Sequence, residues 1–289
     1  MKIAVVTGTS TGIGLATSLH LARHGYRVFA GMRNLGKADP LRKTAAEAGL
    51  PVDVIALDVT SGASVDEAVR AVTAHGPVDV LVNNAGISGA TPLELTPEAE
   101  HRAMFETNYW GAIRCIQAVL PAMRERRSGT IVNVTSVAGV IAIPNQIAYS
   151  ASKWALECAG EALAHELTRF GVRVVNIEPG VVQTSIFENS AGATRYDKTS
   201  PYQPLMRRNG KFYAAGFRNP THPEDVARVI LEAITTPEYR LRWRVGQDAI
   251  GFSAGRARVA DETWVAMGAD MPDEEYNRRM REHFGLELQ

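Results

Sequence analysis

Tyr149 and Lys153 stand four residues apart in the stretch YSASK. Residues four apart in a helix share a face, so the ammonium can lie beside the phenol. A free tyrosine, with a pKa of about 10, is a poor base at neutral pH. A neighbouring positive charge favours the phenolate and brings the group toward the range where a general acid–base works best. Ser136 ends the run GTIVNVTS (129–136), where its hydroxyl can hold a carbonyl oxygen. Asn108, on the long helical stretch before that run, is placed to fix a water between Lys153 and solvent. Each residue also has a plain structural reading: a surface Tyr–Lys pair, a serine cap, a buried amide satisfying backbone. Their coincidence at one edge of a sheet is what points to proton-transfer chemistry.

A second constellation opens the chain. In VVTGTSTGIGLA (5–16), Gly8, Gly12 and Gly14 separate a short apolar run from a helix-like segment. A helix N-terminus with unpaired N–H groups favours an anion, and glycine lets a pyrophosphate approach the backbone closely. The spacing is one residue wider than G-x-G-x-x-G, so an ordinary glycine-rich turn is the competing reading. Asp58 ends the third apolar run, where it can accept from an adenine amino group, and NNAG (83–86) ends the fourth. Met32 and Arg33 follow the second run, where ribose selectivity is set. An acidic residue there would repel a 2′-phosphate; a cation favours NADP(H) over NAD(H). Arg33 as a solvated loop arginine is the plain alternative.

The elements that must carry these groups are short β-branched runs at 2–7, 27–31, 52–58, 78–84, 129–136, 172–179 and 240–245. Most are apolar at consecutive positions, as strands buried on both faces require. Helical spacing lies between them: Leu15, Leu19 and Ala22 after Gly14; Val65, Ala68, Val69 and Val72 after the caps Ser61 and Ser64; and long helices over 97–126 and 149–170. Ala155, Cys158, Ala162 and Leu163 are read as the apolar stripe of the last. Alternating strands and helices predict a doubly wound, Rossmann-like α/β fold with a parallel sheet of about seven strands. Residues 1–250 are read as a single dinucleotide-binding and catalytic domain, and 251–289 as a helical extension with helices at 256–267 and 272–284. The periodicity weakens over 185–222, whose aromatics Tyr196, Tyr202, Phe212, Tyr213 and Phe217 suggest a lid over an apolar ligand.

The chain has 289 residues, with Lys+Arg and Asp+Glu both at 31. That balance argues against a surface built for nucleic acid or anionic membrane. No apolar run reaches the roughly 18 residues a membrane helix needs. The N-terminus lacks a secretory pattern, and two cysteines, Cys115 and Cys158, read as reduced and structural. Together these predict a cytoplasmic protein. The Asn133-Val134-Thr135 triplet reads as chance within a buried strand. HELTR (165–169) lacks the second histidine of H-E-x-x-H, and no metal site is expected. A methyltransferase or a nucleotide-sensing regulator would share the glycine loop but have no use for Tyr149 with Lys153.

The motifs TGTSTGIG (7–14), NNAG (83–86), Asn108, Ser136, YSASK (149–153) and PGVVQT (179–184) together resemble the short-chain dehydrogenase/reductase family over roughly residues 1–250. The resemblance implies a catalytic tetrad of Asn108, Ser136, Tyr149 and Lys153. It implies cofactor contacts from Gly8, Ser10, Thr11, Gly12, Ile13 and Gly14, from Asp58 and Val59, and from Asn84, Ala85 and Gly86. Tyr149, Lys153, Pro179, Gly180, Val182 and Thr184 would hold the nicotinamide side. GMRN (31–34) and SVAGVIAIPNQIAYSASKWALE look like the 17β-hydroxysteroid and retinol dehydrogenase branch, which implies a hydrophobic ketone or secondary alcohol as small-molecule substrate. Ser136, Ile143, Asn145, Tyr149 and Phe187 are the expected substrate contacts, with Ser88, Tyr202 and Phe217 as further candidates. Such enzymes pair their long helices across a dimer interface, so Trp110 and Trp154 suggest a homodimer.

Overall fold

The structure, a computed structural model, describes residues 1–184, 198–218 and 220–288. Phe187 and Tyr196 lie outside the described residues. Seven strands, β1 (Lys2–Thr7), β2 (Tyr26–Met32), β3 (Val52–Ala56), β4 (Val78–Asn83), β5 (Gly129–Val134), β6 (Val172–Pro179) and β7 (Arg242–Val245), form one sheet. Their order is β3-β2-β1-β4-β5-β6-β7 and every pairing is parallel. The consecutive apolar residues divide between two cores. Ile3, Val5, Leu81 and Ile131 face one layer of helices, while Ala4, Val6, Val80 and Val132 face the other. Burying a side chain of Val, Leu or Ile size stabilises the fold by about 1.5–3 kcal/mol, which is why the strands need no polar face.

The helices on these faces are α1 (Gly12–Arg23), α2 (Asp39–Glu47), α3 (Gly62–Thr73), α4 (Glu98–Phe105), α5 (Gly111–Arg126), α6 (Ile147–Leu167), α7 (Gln203–Arg218) and α8 (Pro223–Thr235). Ser61 caps α3 by accepting from the Ser64 N–H, and Ser64 Oγ in turn accepts from the Asp58 N–H at 3.0 Å. The long helix expected over 97–126 is α4 and α5 joined by a π turn, Glu106–Trp110, that carries Asn108. The buried face of α6 is Leu156, Gly160, Ala164 and Leu167, not the stripe through Cys158, which is exposed. Gly160 decides this: a Cβ there would collide with the Asn176 side chain, so this face packs on β6.

One polar chain crosses the sheet beneath the site. Asn83, Asn133 and Asn176 are register partners on β4, β5 and β6. Asn83 Nδ2 donates to Asn133 Oδ1 at 3.0 Å, and Asn133 Nδ2 to Asn176 Oδ1 at 3.1 Å. Asn176 Nδ2 donates to Glu157 on α6 at 2.8 Å, and Arg242 on β7 pairs with the same oxygen at 3.0 Å. Asn133 is therefore wholly buried, consistent with reading its triplet as chance.

The weakly periodic 185–222 segment contains the sixteen-residue α7. Its inward face includes Arg208, which donates to the Met271 carbonyl and lies over the Tyr276 ring, so a charged residue masks the helical pattern. The C-terminal helices α9 (Gln247–Arg256), α10 (Asp261–Ala266) and α11 (Asp273–Phe284) join α7 in one cluster through Phe212, Phe252, Met267, Met280 and Phe284. That cluster also holds Ile143 and Val137, so the tail backs the wall of the site. No helix among the described residues is long and apolar enough to cross a membrane.

Candidate active site

β1 lies between β2 and β4, so the chain leaves it in opposite directions and a crevice opens at the C-terminal strand ends. Two loops line it, and they are locked together. Thr7 Oγ1 accepts from the Asn84 and Ala85 N–H groups, both at 3.0 Å, while Asn84 Nδ2 donates to the Thr7 and Gly8 carbonyls. Gly8 has φ +70°, and a Cβ there would lie 2.7 Å from the Ala85 backbone. Gly14 has another task than the one expected: it does not line the crevice, but a Cβ on it would strike the Gly8 carbonyl. It lets α1 start directly under the loop. The first turn of α1 contains no acidic residue, so its positive end is uncompensated.

The crevice has a volume of about 500 Å³. Gly8, Ser10, Thr11, Gly12 and Ile13 form its floor. Asp58 and Val59 after β3, Asn84, Ala85 and Gly86 after β4, and Pro179, Gly180, Val182 and Thr184 at and after the end of β6 also line the crevice. Arg33 lies at one end with Asn34, the last residue of the GMRN stretch, and with Lys37, which the sequence reading did not single out. Burial pushes the Asp58 carboxyl up, but hydrogen bonds from Thr60 and the charge of Arg33 outweigh it and hold the group below its usual range.

Ser136, Tyr149 and Lys153 meet at the other end. Ser136 lies two residues past β5, where its Oγ accepts from the Ala138 N–H at 3.1 Å and also hydrogen-bonds with the Tyr149 phenol. Lys153 is buried and donates to the Val134 carbonyl at 2.9 Å; its Nζ lies 5.9 Å from the Tyr149 ring centroid. Burial pushes its pKa down to about 8, partly opposed by Glu157 one turn along α6. Burial also raises the Tyr149 pKa, and Ser136 is the group that opposes it. Lys153 lies over the Tyr149 ring while its hydrogen bond goes to the Val134 carbonyl rather than to the phenol oxygen.

Asn108 does not line the crevice. Its Oδ1 accepts from the Ile87 N–H at 2.8 Å, and its Nδ2 donates to the Ile87 carbonyl and to Ser152 Oγ, both at 2.9 Å. The amide clamps the backbone after NNAG; a Cβ on Gly86 would lie 3.3 Å from Asn108 Oδ1 and 3.6 Å from Lys153 Nζ. Of the expected substrate contacts, Ile143 lines the cavity, as does Ser88. Asn145 does not: its backbone is left-handed (φ +62°) and its side chain is buried elsewhere. Tyr202 instead donates to Glu94 at 2.7 Å, and Phe217 is exposed. Gln146, Phe212 and Tyr213 take these places, the last two from α7. The sequence offered no signal for Gln146 beyond its nearness to Tyr149.

Asp248, on the first turn of α9, accepts from the Val181 N–H at 2.6 Å and fills the space that a Gly180 Cβ would need. It braces the Pro179–Thr184 wall from behind.

The sheet order, the glycine loop at the crevice and the Ser–Tyr–Lys cluster define a nucleotide-dependent oxidoreductase fold. A model of the short chain dehydrogenase family matches residues 2–194, and the chain belongs to that family. It is 38% identical over 260 residues to retinol dehydrogenase 8 of Bos taurus, covering 84% of this chain and 81% of that one. A short-chain dehydrogenase from Streptomyces avermitilis superimposes with a TM-score of 0.80 at 35% identity, over 93% of this chain and 98% of its own. A variant of the actinorhodin polyketide ketoreductase, solved with NADPH, gives 0.73 at 31% identity, over 84% and 95%. A Burkholderia phymatum short-chain dehydrogenase, solved with NAD, gives 0.74 at 27%, over 83% and 88%. The protein is an oxidoreductase of the CH–OH class using a nicotinamide cofactor.

Proposed function

We propose that the protein interconverts an apolar ketone or aldehyde and its alcohol with NADP(H). The observation that carries the reading is the convergence of Ser136, Tyr149 and Lys153 on the crevice floored by the glycine loop. The residues fit the cofactor: Gly8 and Gly12, at φ +70° and +58°, let the loop turn tightly against Ala85 and Thr184 while lining the crevice, and the N-terminus of α1, without an acidic residue in its first turn, suits a pyrophosphate. When bound, the nicotinamide supplies or accepts the hydride. Tyr149 holds the proton that the carbonyl oxygen gains or the alcohol loses, and Ser136 offers a hydroxyl to the same oxygen, the kind of preorganised contact that often dominates catalysis. Lys153 supplies a cation to the nicotinamide ribose side, and Asn108 positions the backbone beside it.

Arg33 and Lys37 support NADP(H), since two cations at one end of the crevice suit a 2′-phosphate. Phe212, Val181 and Ile143 support an apolar substrate. Trp110 and Trp154, both nearly half exposed, support a homodimer through the α4–α5 and α6 faces. The test is NADPH oxidation, followed by absorbance, across a panel of steroid, retinoid and aliphatic carbonyls. Turnover that vanishes in Tyr149→Phe is the expected result; cofactor binding with no turnover on any carbonyl overturns the reading. Light scattering on the purified protein tests the dimer.

A further inference from the structure

Gln146 is the N-cap of α6, three residues before Tyr149, and both line the crevice. Its residue is 2% exposed, and it lines the crevice together with Tyr213 of α7. The amide Nε2 donates to the Tyr213 hydroxyl, while Oε1 has no hydrogen-bond partner among the described residues. Tyr213 is itself buried close enough to Tyr149 for the two phenols to couple electrostatically, in addition to the burial that raises its pKa. Val137, Ile143, Val181 and Phe212 give the same cavity apolar lining, beside the polar Ser88, Ser136, Tyr149 and Lys153. A buried amide atom without a partner is costly and rare in folded proteins. Here the residue that carries it belongs to the lining of the cavity, together with the Tyr149 phenol that would meet the reacting carbonyl.

We propose that Gln146, held by Tyr213, is a specificity-determining subsite for a hydroxyl group on the substrate. The preferred ligand is then a hydroxylated apolar ketone, its hydroxyl a few bonds from the carbonyl, rather than a plain hydrocarbon ketone. A hydroxyl both donates and accepts, so it pairs with this amide in either orientation of the side chain, whereas an ether or a second carbonyl serves only one. The inference rests on the proposed carbonyl–alcohol chemistry at Tyr149. It extends that chemistry to a second contact which a site built for hydrocarbon alone would not carry. Sites that hydrogen-bond a substrate group reject the analogue lacking it, because the protein's own polar atom is left unpaired.

The test compares 2-decanone with 4-, 5- and 6-hydroxy-2-decanone. Binding is measured by calorimetry on Tyr149→Phe protein with NADPH present, so that the ketones remain intact, and turnover is measured on the wild type. At least one hydroxylated isomer is expected to bind about tenfold or more tightly than 2-decanone. Added to the Tyr149→Phe background, Gln146→Leu should erase that advantage while 2-decanone binds as well as before or better. Tyr213→Phe, which removes only one oxygen, should reduce it. The proposal is overturned if no isomer is preferred, or if the preference survives both substitutions. Loss of all ligand binding in Gln146→Leu signals a misfolded site and leaves Tyr213→Phe to decide. Wild-type protein that oxidises NADPH with none of these ketones counts against the proposed reaction instead, and the binding comparison still stands.

Discussion

Lys153 Nζ donates to the Val134 carbonyl at 2.9 Å, tying the ammonium of α6 to the last residue of β5. The contact fixes the angle at which the first turn of α6, with Tyr149, enters the crevice. It also means that burial, not the phenol, sets the charge on this lysine.

The proton inventory follows. Because burial raises the Tyr149 pKa, with Ser136 opposing, the phenol stays protonated through neutral pH. Carbonyl reduction, which needs the proton, should be flat at neutral pH and fall on the alkaline side; alcohol oxidation should climb with pH. Tyr149→Phe should lower kcat about 10²- to 10⁴-fold in both directions, with nicotinamide binding nearly unchanged by fluorescence titration. An oxidation profile that peaks at acidic pH would contradict the assignment.

Lys153 also leaves a mark on stability. Its pKa falls from 10.5 to about 8 on folding, so the unfolded chain holds this proton more tightly between those values. Its contribution to stability therefore rises as pH goes from 8 to 10.5. Cys115, pushed up to about 12 by burial, and Tyr149 act in the opposite sense at alkaline pH. The comparison is accordingly wild type minus Lys153→Met in urea unfolding, and that difference should grow in favour of the wild type across the window.

Cofactor choice is expected to reside at the Arg33 end. Arg33→Ala and Lys37→Ala should each weaken NADP binding by roughly 1.5–3 kcal/mol, about ten- to a hundredfold, while changing NAD binding little. Equal losses for both nucleotides in calorimetry would remove these side chains from phosphate recognition.

The asparagine ladder should behave as one unit. Asn133→Leu leaves Asn83 Nδ2 without its acceptor and Asn176 Oδ1 without its donor, both in the buried sheet. At about 1–3 kcal/mol per orphaned group, denaturant unfolding should show a loss of roughly 2–6 kcal/mol.

Glu178 carries the reverse pH signature. It is fully buried between Arg244 at 3.0 Å and Arg242 at 3.4 Å. Burial, then the charge of Glu157, lifts its pKa from 4.5 to about 7 despite the two arginines. The folded state then binds the proton more tightly, and its contribution to stability falls as pH rises from 4.5 to 7. Glu178→Gln should flatten that slope, which is worth roughly 1–3 kcal/mol, in thermal unfolding across the window.

Strand positions were legible because a buried parallel strand is apolar at every position, and this signal is local. Helices α2, α7, α8 and α9 were not assigned from the sequence, where the tail was read as helices at 256–267 and 272–284. In α7 the inward face carries Arg208, acceptable only because the Met271 carbonyl and Tyr276 ring await it some sixty residues later. The stripe on α6 was misplaced for the same reason: Gly160 reads as a weak helix former until Asn176 is packed against it. Asp248 and Gln146 act through partners distant in sequence, Val181 and Tyr213.

What the linear order of residues settled by itself was the chemistry available and the edge where it gathers, since glycine spacing, strand ends and a Tyr–Lys pair at helical distance are all short-range properties. Tertiary packing alone decided which neighbour each group answers to: Lys153 to a carbonyl rather than the phenol, Asn108 to the Ile87 backbone, and Gln146 to a tyrosine on α7. Burial and long-range hydrogen bonding set those partnerships, and both depend on elements that meet only once the sheet has closed over its helices.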